Sequence, residues 1–200
     1  MTVKLTFKDN RETAISFIHL SNNQEGISIS NTKDIIYREP VSEDAEKIVD
    51  FYNYVGGETT YLSFEKDEYP MDAAGQREDI LATNAHPASI MLLAMDGDEI
   101  VGIGTIHSSN KIKARHQGEL GIVVAKKYQA QGIGSEIIRR LIDFCKNNGI
   151  TTRIQLDTRC DNEVAVKLYE RFGFEIEGRL KNTTLLNGVY YDLYVMGLML

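Results

Sequence analysis

Between residues 119 and 144 the chain reads ELGIVVAKKYQAQGIGSEIIRRLIDF. An apolar run passes through Gln129-Ala130-Gln131-Gly132-Ile133-Gly134 into a segment with Ile133, Ile137, Ile138, Leu141, Ile142 and Cys145 at helical spacing, ending at Gly149. No other stretch restricts the fold so strongly, because a buried strand must turn through glycines straight into an amphipathic helix. Such a turn gathers unpaired backbone N–H groups at the positive end of the helix dipole, and the absent side chains let an anion approach. The segment is expected to bind phosphate.

Two familiar glycine loops do not fit. A nucleoside-triphosphate loop ends in Gly-Lys-Ser/Thr, whereas Gly134 is followed by Ser135-Glu136. A dinucleotide fingerprint needs a third glycine three positions after the second, and Ile137 stands there. The loop also follows an antiparallel meander and not a βαβ unit. Strands are expected around 89–95 and 99–107, joined at Asp96-Gly97, with a third over 119–124.

Upstream, Ser42 is a candidate N-cap for a helix carrying the stripe Ala45, Ile48, Val49, Tyr52 and Val55 and ending at Gly56-Gly57. A second helix is expected after Asp72, carrying Ile80 and Leu81 and stopping before Pro87. Downstream, ITTRIQLDT reads as a strand, and 162–172 as a helix with Val164, Ala165, Leu168 and Tyr169 apolar. Strands over 174–180 and 190–198 flank Asn187-Gly188. Residues 3–8 and 14–20 are β-prone around Asp9-Asn10, and Ile27, Ile29, Ile35 and Tyr37 suggest more extended chain. At 200 residues, with 42 % hydrophobic and 26 % charged side chains, the sequence suits one domain with a small appendage.

Gln-x-x-Gly-x-Gly after a valine-rich strand, followed by Asn162, then Leu168-Tyr169 and Gly173-Phe174, resembles the GNAT superfamily of acyl-CoA-dependent N-acetyltransferases. The resemblance covers 35–200, and the tail is similar to the ribosomal-protein-alanine, amino-acid and polyamine branches. It implies an α/β (α+β) fold: a mixed central sheet, its fourth and fifth strands splayed apart, flanked by helices. Residues 1–34 would be a β-rich N-terminal extension outside that pattern. Acetyl-CoA, as co-substrate, would lie in the splay. Ile122, Val123 and Val124 would pair with its pantetheine arm as an added strand does. The diphosphate would rest on the amides of Gln129, Ala130, Gln131, Gly132, Ile133 and Gly134, with Ser135 in the first helical turn. Asn162 matches an asparagine that bonds the pantetheine arm, and it also stands where an N-cap is needed.

Acyl transfer to an amine needs an uncharged nucleophile, a polarised thioester carbonyl and a proton for the departing thiolate. A free amine with a pKa of about 10 is mostly protonated at neutral pH, so a base or water must take that proton. By the resemblance Tyr169 would supply the thiolate proton; read as part of the helix stripe it is a core aromatic. Glu119 falls one residue from the family's strand glutamate, an offset that a β-bulge would absorb. Asp157 matches the alternative acidic position. The Val124 amide would polarise the carbonyl.

With 22 basic and 29 acidic residues the chain carries a net charge of −7, and its densest basic stretch, 111–116, is too short for a phosphate-tracking stripe. No nucleic-acid partner is expected. The acids Glu58, Glu65, Asp67 and Glu68 would suit a cationic amine, or are simply a solvated loop. The expected acceptor is a small-molecule or peptide amine. His107 and His116 have no zinc-type spacing, and no metal is expected. Cys145 and Cys160 read as packing residues of a reducing compartment. No apolar run is long enough to span a membrane, and a cytoplasmic protein is expected. VMGLML and the N-terminal β segment could each extend a sheet across subunits, which allows a homodimer. A second reading is an acyl-CoA-binding sensor or interaction module that has the fold and no activity.

Overall fold

A computed structural model describes residues 2–9, 12–19 and 34–200 of the chain. Two compact units divide it, Met1–Lys33 and Asp34–Leu200. In the first, β1 (Thr2–Asp9) and β2 (Glu12–His19) pair antiparallel, with Asp9 opposite Glu12. Asn10, Ile27 and Ile29, for which turn or extended chain was expected, lie outside the described residues.

The second unit runs β3 (Ile36–Arg38), α1 (Ala45–Gly56), α2 (Ala73–Ala85), β4 (Ile90–Asp96), β5 (Glu99–Ser108), β6 (Gln117–Val124), α3 (Ile133–Asn147), β7 (Arg153–Arg159), α4 (Glu163–Arg171), β8 (Glu175–Leu186) and β9 (Val189–Met199). Its sheet has the order β3-β4-β5-β6-β7-β9-β8, antiparallel throughout except for β6 beside β7. This is the mixed α/β architecture expected from the sequence.

Helix α3 lies directly on the sheet because β5 offers glycines beneath it. A Cβ on Gly104 would stand 2.2 Å from Ile137 Cγ2, and one on Gly102 3.2 Å from Ile137 Cδ1. Ile137, Ile138 and Leu141 are fully buried there, with Ile154 and Leu156 of β7. On the opposite face of β5, Ile103 and Thr105 are also buried, and α1 and α2 pack on β5 and β4. Helix α2 starts as expected, with Asp72 Oδ1 accepting from Gly75 N–H at 2.8 Å. The β8–β9 hairpin turns at Asn187 and Gly188, both at positive φ.

Several local expectations are corrected. A short 3₁₀ turn over Ser42–Asp44 precedes α1, and Asp44, not Ser42, organises it. Its carboxylate accepts from Val41 N–H at 2.8 Å and takes both Arg38 nitrogens, which holds it below the ordinary aspartate range. Phe51 is buried on α1, where Val49 was expected, and Leu81 of α2 is exposed. The β4–β5 turn is Gly97-Asp98, since Asp96 pairs with Glu99. In α4 the core takes Val166, whereas Val164 is 82 % exposed.

Candidate active site

Strand β6 is paired with β5 along Gly118–Val124, but with β7 only where Gln117–Glu119 meet Arg153–Gln155. β7 continues against β9 as far as Arg159. Residues 120–124 and 156–159 therefore face one another across an opening with their inner edges unpaired. Ala125 N–H donates to Val101 O of β5 at 3.0 Å, and amide directions alternate along a strand, so Val124 and Ile122 present their N–H groups to the opening. The Val124 amide thus lies on the unpaired edge of β6.

The loop that follows is shaped by backbone. Lys126–Tyr128 form a 3₁₀ turn, Tyr128 is buried, and its hydroxyl donates to Asp96 Oδ2 at 2.6 Å. Gln129 Nε2 donates to Val124 O and Gln131 Nε2 to Lys127 O, tying the loop to the strand end. Ala130 and Gly132 both lie at positive φ, 58° and 85°. For Ala130 that conformation costs about 1–2 kcal/mol, whereas glycine adopts it freely. Glu136 N–H to Gly132 O is the first bond of α3, so the amides of Ile133, Gly134 and Ser135 have no acceptor within the helix. A carboxylate in the first turn would oppose a bound anion, but Glu136 is paired with Arg139 and Arg140, whose hydrogen bonds lower its pKa to about 2.

Helix α4 closes the apolar side. Asn162 Oδ1 accepts from Ala165 N–H at 3.3 Å, so the N-cap reading of Asn162 is realised. A Cβ on Gly134 would meet Leu168, Ile122 and Val124 at 3.7–3.8 Å, which locates these three apolar side chains around the start of α3. Tyr169 is 7 % exposed and packs edge-on against Phe174 at 5.9 Å. Burial raises its pKa to about 12. Its hydroxyl has no hydrogen-bond partner among the described residues, yet no buried side-chain oxygen among them lacks one, so that hydroxyl reaches solvent.

Glu119 and Asp157 are both exposed and share a sheet face, since Glu119 is level with Gln155 and alternate residues of β7 point the same way. The β5–β6 ladder runs without a register shift from Gly118 to Val124, so the bulge expected near Glu119 is absent. Val124 is five positions beyond Glu119, about 16 Å along the strand. Asp157 is level with Gly121, only about 10 Å below Val124.

Two charged residues that the sequence did not single out for these contacts border the same opening. Arg159 is 5 % exposed and forms a two-pronged pair with Asp161. Its phase on β7 was the available signal: it alternates with Gln155 and Asp157, yet it is buried. Glu58 accepts from Tyr54 Oη at 2.8 Å and from Lys126 N–H at 2.9 Å. Glu68 Oε2 accepts from Glu65 N–H. The carboxylates of Glu58 and Glu68 thus bond within the protein, and no three acids of this loop gather as a cation-holding group. Among the described residues no three His, Cys, Asp or Glu side chains gather in a metal-type group, and no helix is long and apolar enough to cross a membrane.

A sequence model of the acetyltransferase (GNAT) family matches residues 50–174. The chain belongs to that family. It is 31 % identical to a GNAT-family acetyltransferase from Streptococcus pneumoniae, with a TM-score of 0.81 over 84 % of this chain and all of that one. It is 37 % identical over 106 residues to the L-amino acid N-acetyltransferase AaaT of Escherichia coli (53 % of this chain, 65 % of that protein). The Vibrio cholerae spermidine N(1)-acetyltransferase is 32 % identical over 95 residues (48 % of this chain, 50 % of that protein). The chain thus spans between half and two thirds of the length of these curated relatives. A Salmonella typhimurium putative acetyltransferase, yncA, solved with its cofactor acetyl-CoA, shares the fold with a TM-score of 0.73 over 83 % of this chain and 94 % of that one at 18 % identity.

Proposed function

We propose that the chain transfers an acetyl group from acetyl-CoA to a primary amine by direct attack in a ternary complex. The observation that carries this reading is the continuity of the unpaired β6 edge with the open amides of Ile133, Gly134 and Ser135, against which Leu168 of α4 packs, the residue before the buried Tyr169 whose hydroxyl reaches solvent. These groups fit acyl-CoA: backbone polar groups for the pantetheine amides, helix N-terminal amides for the diphosphate, and Leu168, Ile122 and Val124 for its apolar stretches. Bound there, acetyl-CoA supplies an activated acyl thioester.

The protein then has three tasks. Val124 N–H donates to the thioester oxygen as charge develops on it. Tyr169, with a pKa pushed up to about 12, keeps its proton at neutral pH and donates a hydrogen bond to the leaving sulfur. A thiol has a pKa near 8.5, so full transfer from that phenol is uphill, and stabilising the thiolate until it collects the proton that the attacking nitrogen loses on becoming an amide is the more favourable course. Asp157 or Glu119 takes the amine proton, through water, and Asp157 stands nearer the level of Val124. Names of relatives make amino acids, ribosomal-protein termini and polyamines the amine classes to try first.

Thiol release from acetyl-CoA, assayed with these amines, tests the proposal. Tyr169→Phe is expected to lower kcat about 10- to 100-fold with acetyl-CoA affinity retained. Tight acetyl-CoA binding without thiol release to any amine would leave the sensor reading in its place, and unchanged kcat in the variant would remove Tyr169 from the reaction.

A further inference from the structure

We propose that Glu58 and Arg159 are positioning residues that strap the α1–α2 loop across the open ends of β6 and β7, and so fix the wall against which the acceptor amine docks. The proposal rests on the acetyl-transfer reading for its acceptor and on contacts alone for the strap.

At one end, Glu58 Oε2 accepts from the backbone N–H of Lys126, two residues beyond the end of β6. Its other oxygen is held by the hydroxyl of Tyr54, one turn back on α1. At the other end, Thr60 O accepts from Arg159 Nη1 at 2.9 Å, and Arg159 is the last residue of β7. The two attachment points are separated by one residue, Thr59, so the chain between them spans at most about 7 Å. A segment this short, held to both strand ends, resists their spreading further.

The Arg159 anchor is stiff. Its guanidinium pairs with Asp161 through Nε (2.9 Å) and Nη2 (2.6 Å) and packs beside the rings of Tyr191 on β9 (3.8 Å) and Tyr61 of the loop (4.9 Å). A buried guanidinium is tolerated only when paired in this way, and a planar fork meets these partners as a lysine ammonium cannot. Beyond Tyr61 the loop is held independently: Tyr52 stacks on Tyr69 at 4.4 Å, Phe64 packs edge-on against both, and Tyr69 N–H donates to Asn53 Oδ1. Residues 58–61 are therefore the part that depends on the two anchors. Arg159 is level with Val123 on the face that carries Asp157, beside the edge that bears the Val124 amide.

Glu58 bonds an amide and a phenol, both uncharged donors, so its role calls for an oxygen acceptor and not for a charge. This separates it from a base or a cation ligand. Full-length Glu58→Ala, Glu58→Gln, Arg159→Gln and Arg159→Lys are compared by amide hydrogen exchange and by steady-state kinetics. Glu58→Ala and both Arg159 variants are expected to speed exchange across 57–63 about tenfold, the worth of one well-placed hydrogen bond, with α3 peptides unchanged. Amine KM rises about tenfold with kcat and acetyl-CoA Kd nearly unchanged, and Glu58→Gln, which keeps an acceptor oxygen for Lys126, behaves as the parent in both measurements. Unaltered exchange, a fall in kcat without a rise in KM, or equal damage from Gln and Ala at Glu58 would overturn the proposal. If the Arg159 variants do not fold, the Glu58 pair decides it. If the parent protein acetylates no amine, the acetyl-transfer reading fails while exchange still decides the strap.

Discussion

Two loops border the same opening and are built on opposite principles. The β6–α3 loop owes its shape to backbone: positive φ at Ala130 and Gly132, and helix-start amides at Ile133, Gly134 and Ser135. Apart from the Lys126 N–H bond that Glu58 accepts, its side-chain ties are to Val124, to Lys127 within the loop and to Asp96 and Glu99 at the β4–β5 turn. The α1–α2 loop owes its shape to side chains that meet partners far along the chain, with Glu58 reaching Lys126 and Arg159 reaching Thr60. A loop built from backbone leaves its record in local sequence, because glycines and a helical period are local signals. A loop tied by distant side chains leaves almost none.

The comparison can be broken most forcefully beneath α3. Gly104→Val places methyls where Ile137 Cγ2 already lies, so it is expected to destabilise the fold by about 1–3 kcal/mol and to weaken acetyl-CoA binding, while exchange across 57–63 stays unchanged. Urea unfolding and peptide-resolved exchange read the two effects separately. If 57–63 loosens equally, the loops are not independent.

Gly132→Ala comes next. The position has φ 85°, and a Cβ added there would meet no atom within 4 Å, so the cost is conformational, about 1–2 kcal/mol. Lys126→Ala removes an exposed side chain while keeping the backbone donor that Glu58 uses, and a change within about 0.5 kcal/mol is expected. Equal effects in thermal melts would contradict a backbone-built loop. Gln129→Ala deletes the side-chain bond to Val124 O and is expected to cost about 0.5–1.5 kcal/mol, with weaker acetyl-CoA binding in calorimetry.

The smallest effect is electrostatic. Glu136 has its pKa lowered to about 2 by Arg139 and Arg140, so its stabilising contribution is present above the ordinary carboxylate pKa and is lost as pH falls from about 4.5 towards 2. Glu136→Gln removes that contribution, so the variant is expected to be less stable than the parent at pH 7, by no more than about 1 kcal/mol for a pair this exposed, and the difference should close as pH falls towards 2. A difference between variant and parent that stays constant from pH 7 down to pH 2 in urea unfolding would show that Glu136 acts through something other than its charge.

The strands and α3 were legible in the sequence because their signals are periodic: a valine-rich strand, glycines at a turn, isoleucines at helical spacing; the opening between β6 and β7 was expected from the family resemblance alone. Boundaries and phases were less so. Val164 and Val166 are equally apolar, and only the docking of α4 decides that Val166 is inward. Ser42 has the side chain of a cap, but Arg38, brought close by β3, and Val41 N–H make Asp44 the residue that organises the turn. For the base, counting residues put Glu119 one place from a match, and the unshifted β5–β6 ladder then favoured Asp157 by position along the strands.

By itself the sequence determined the order of strands and helices and the glycine turn from β6 into α3, because these follow from short-range backbone preferences and amphipathic period. Only the tertiary structure decided what Glu58 does and where Arg159 points. Glu58 spends its carboxylate on Tyr54 and Lys126, and Arg159 turns inward to Asp161, Thr60 and Tyr191. The physical reason is range: a side chain's charge is written at its own position, but whether it meets solvent, substrate or a partner about a hundred residues away depends on how the strands and helices pack.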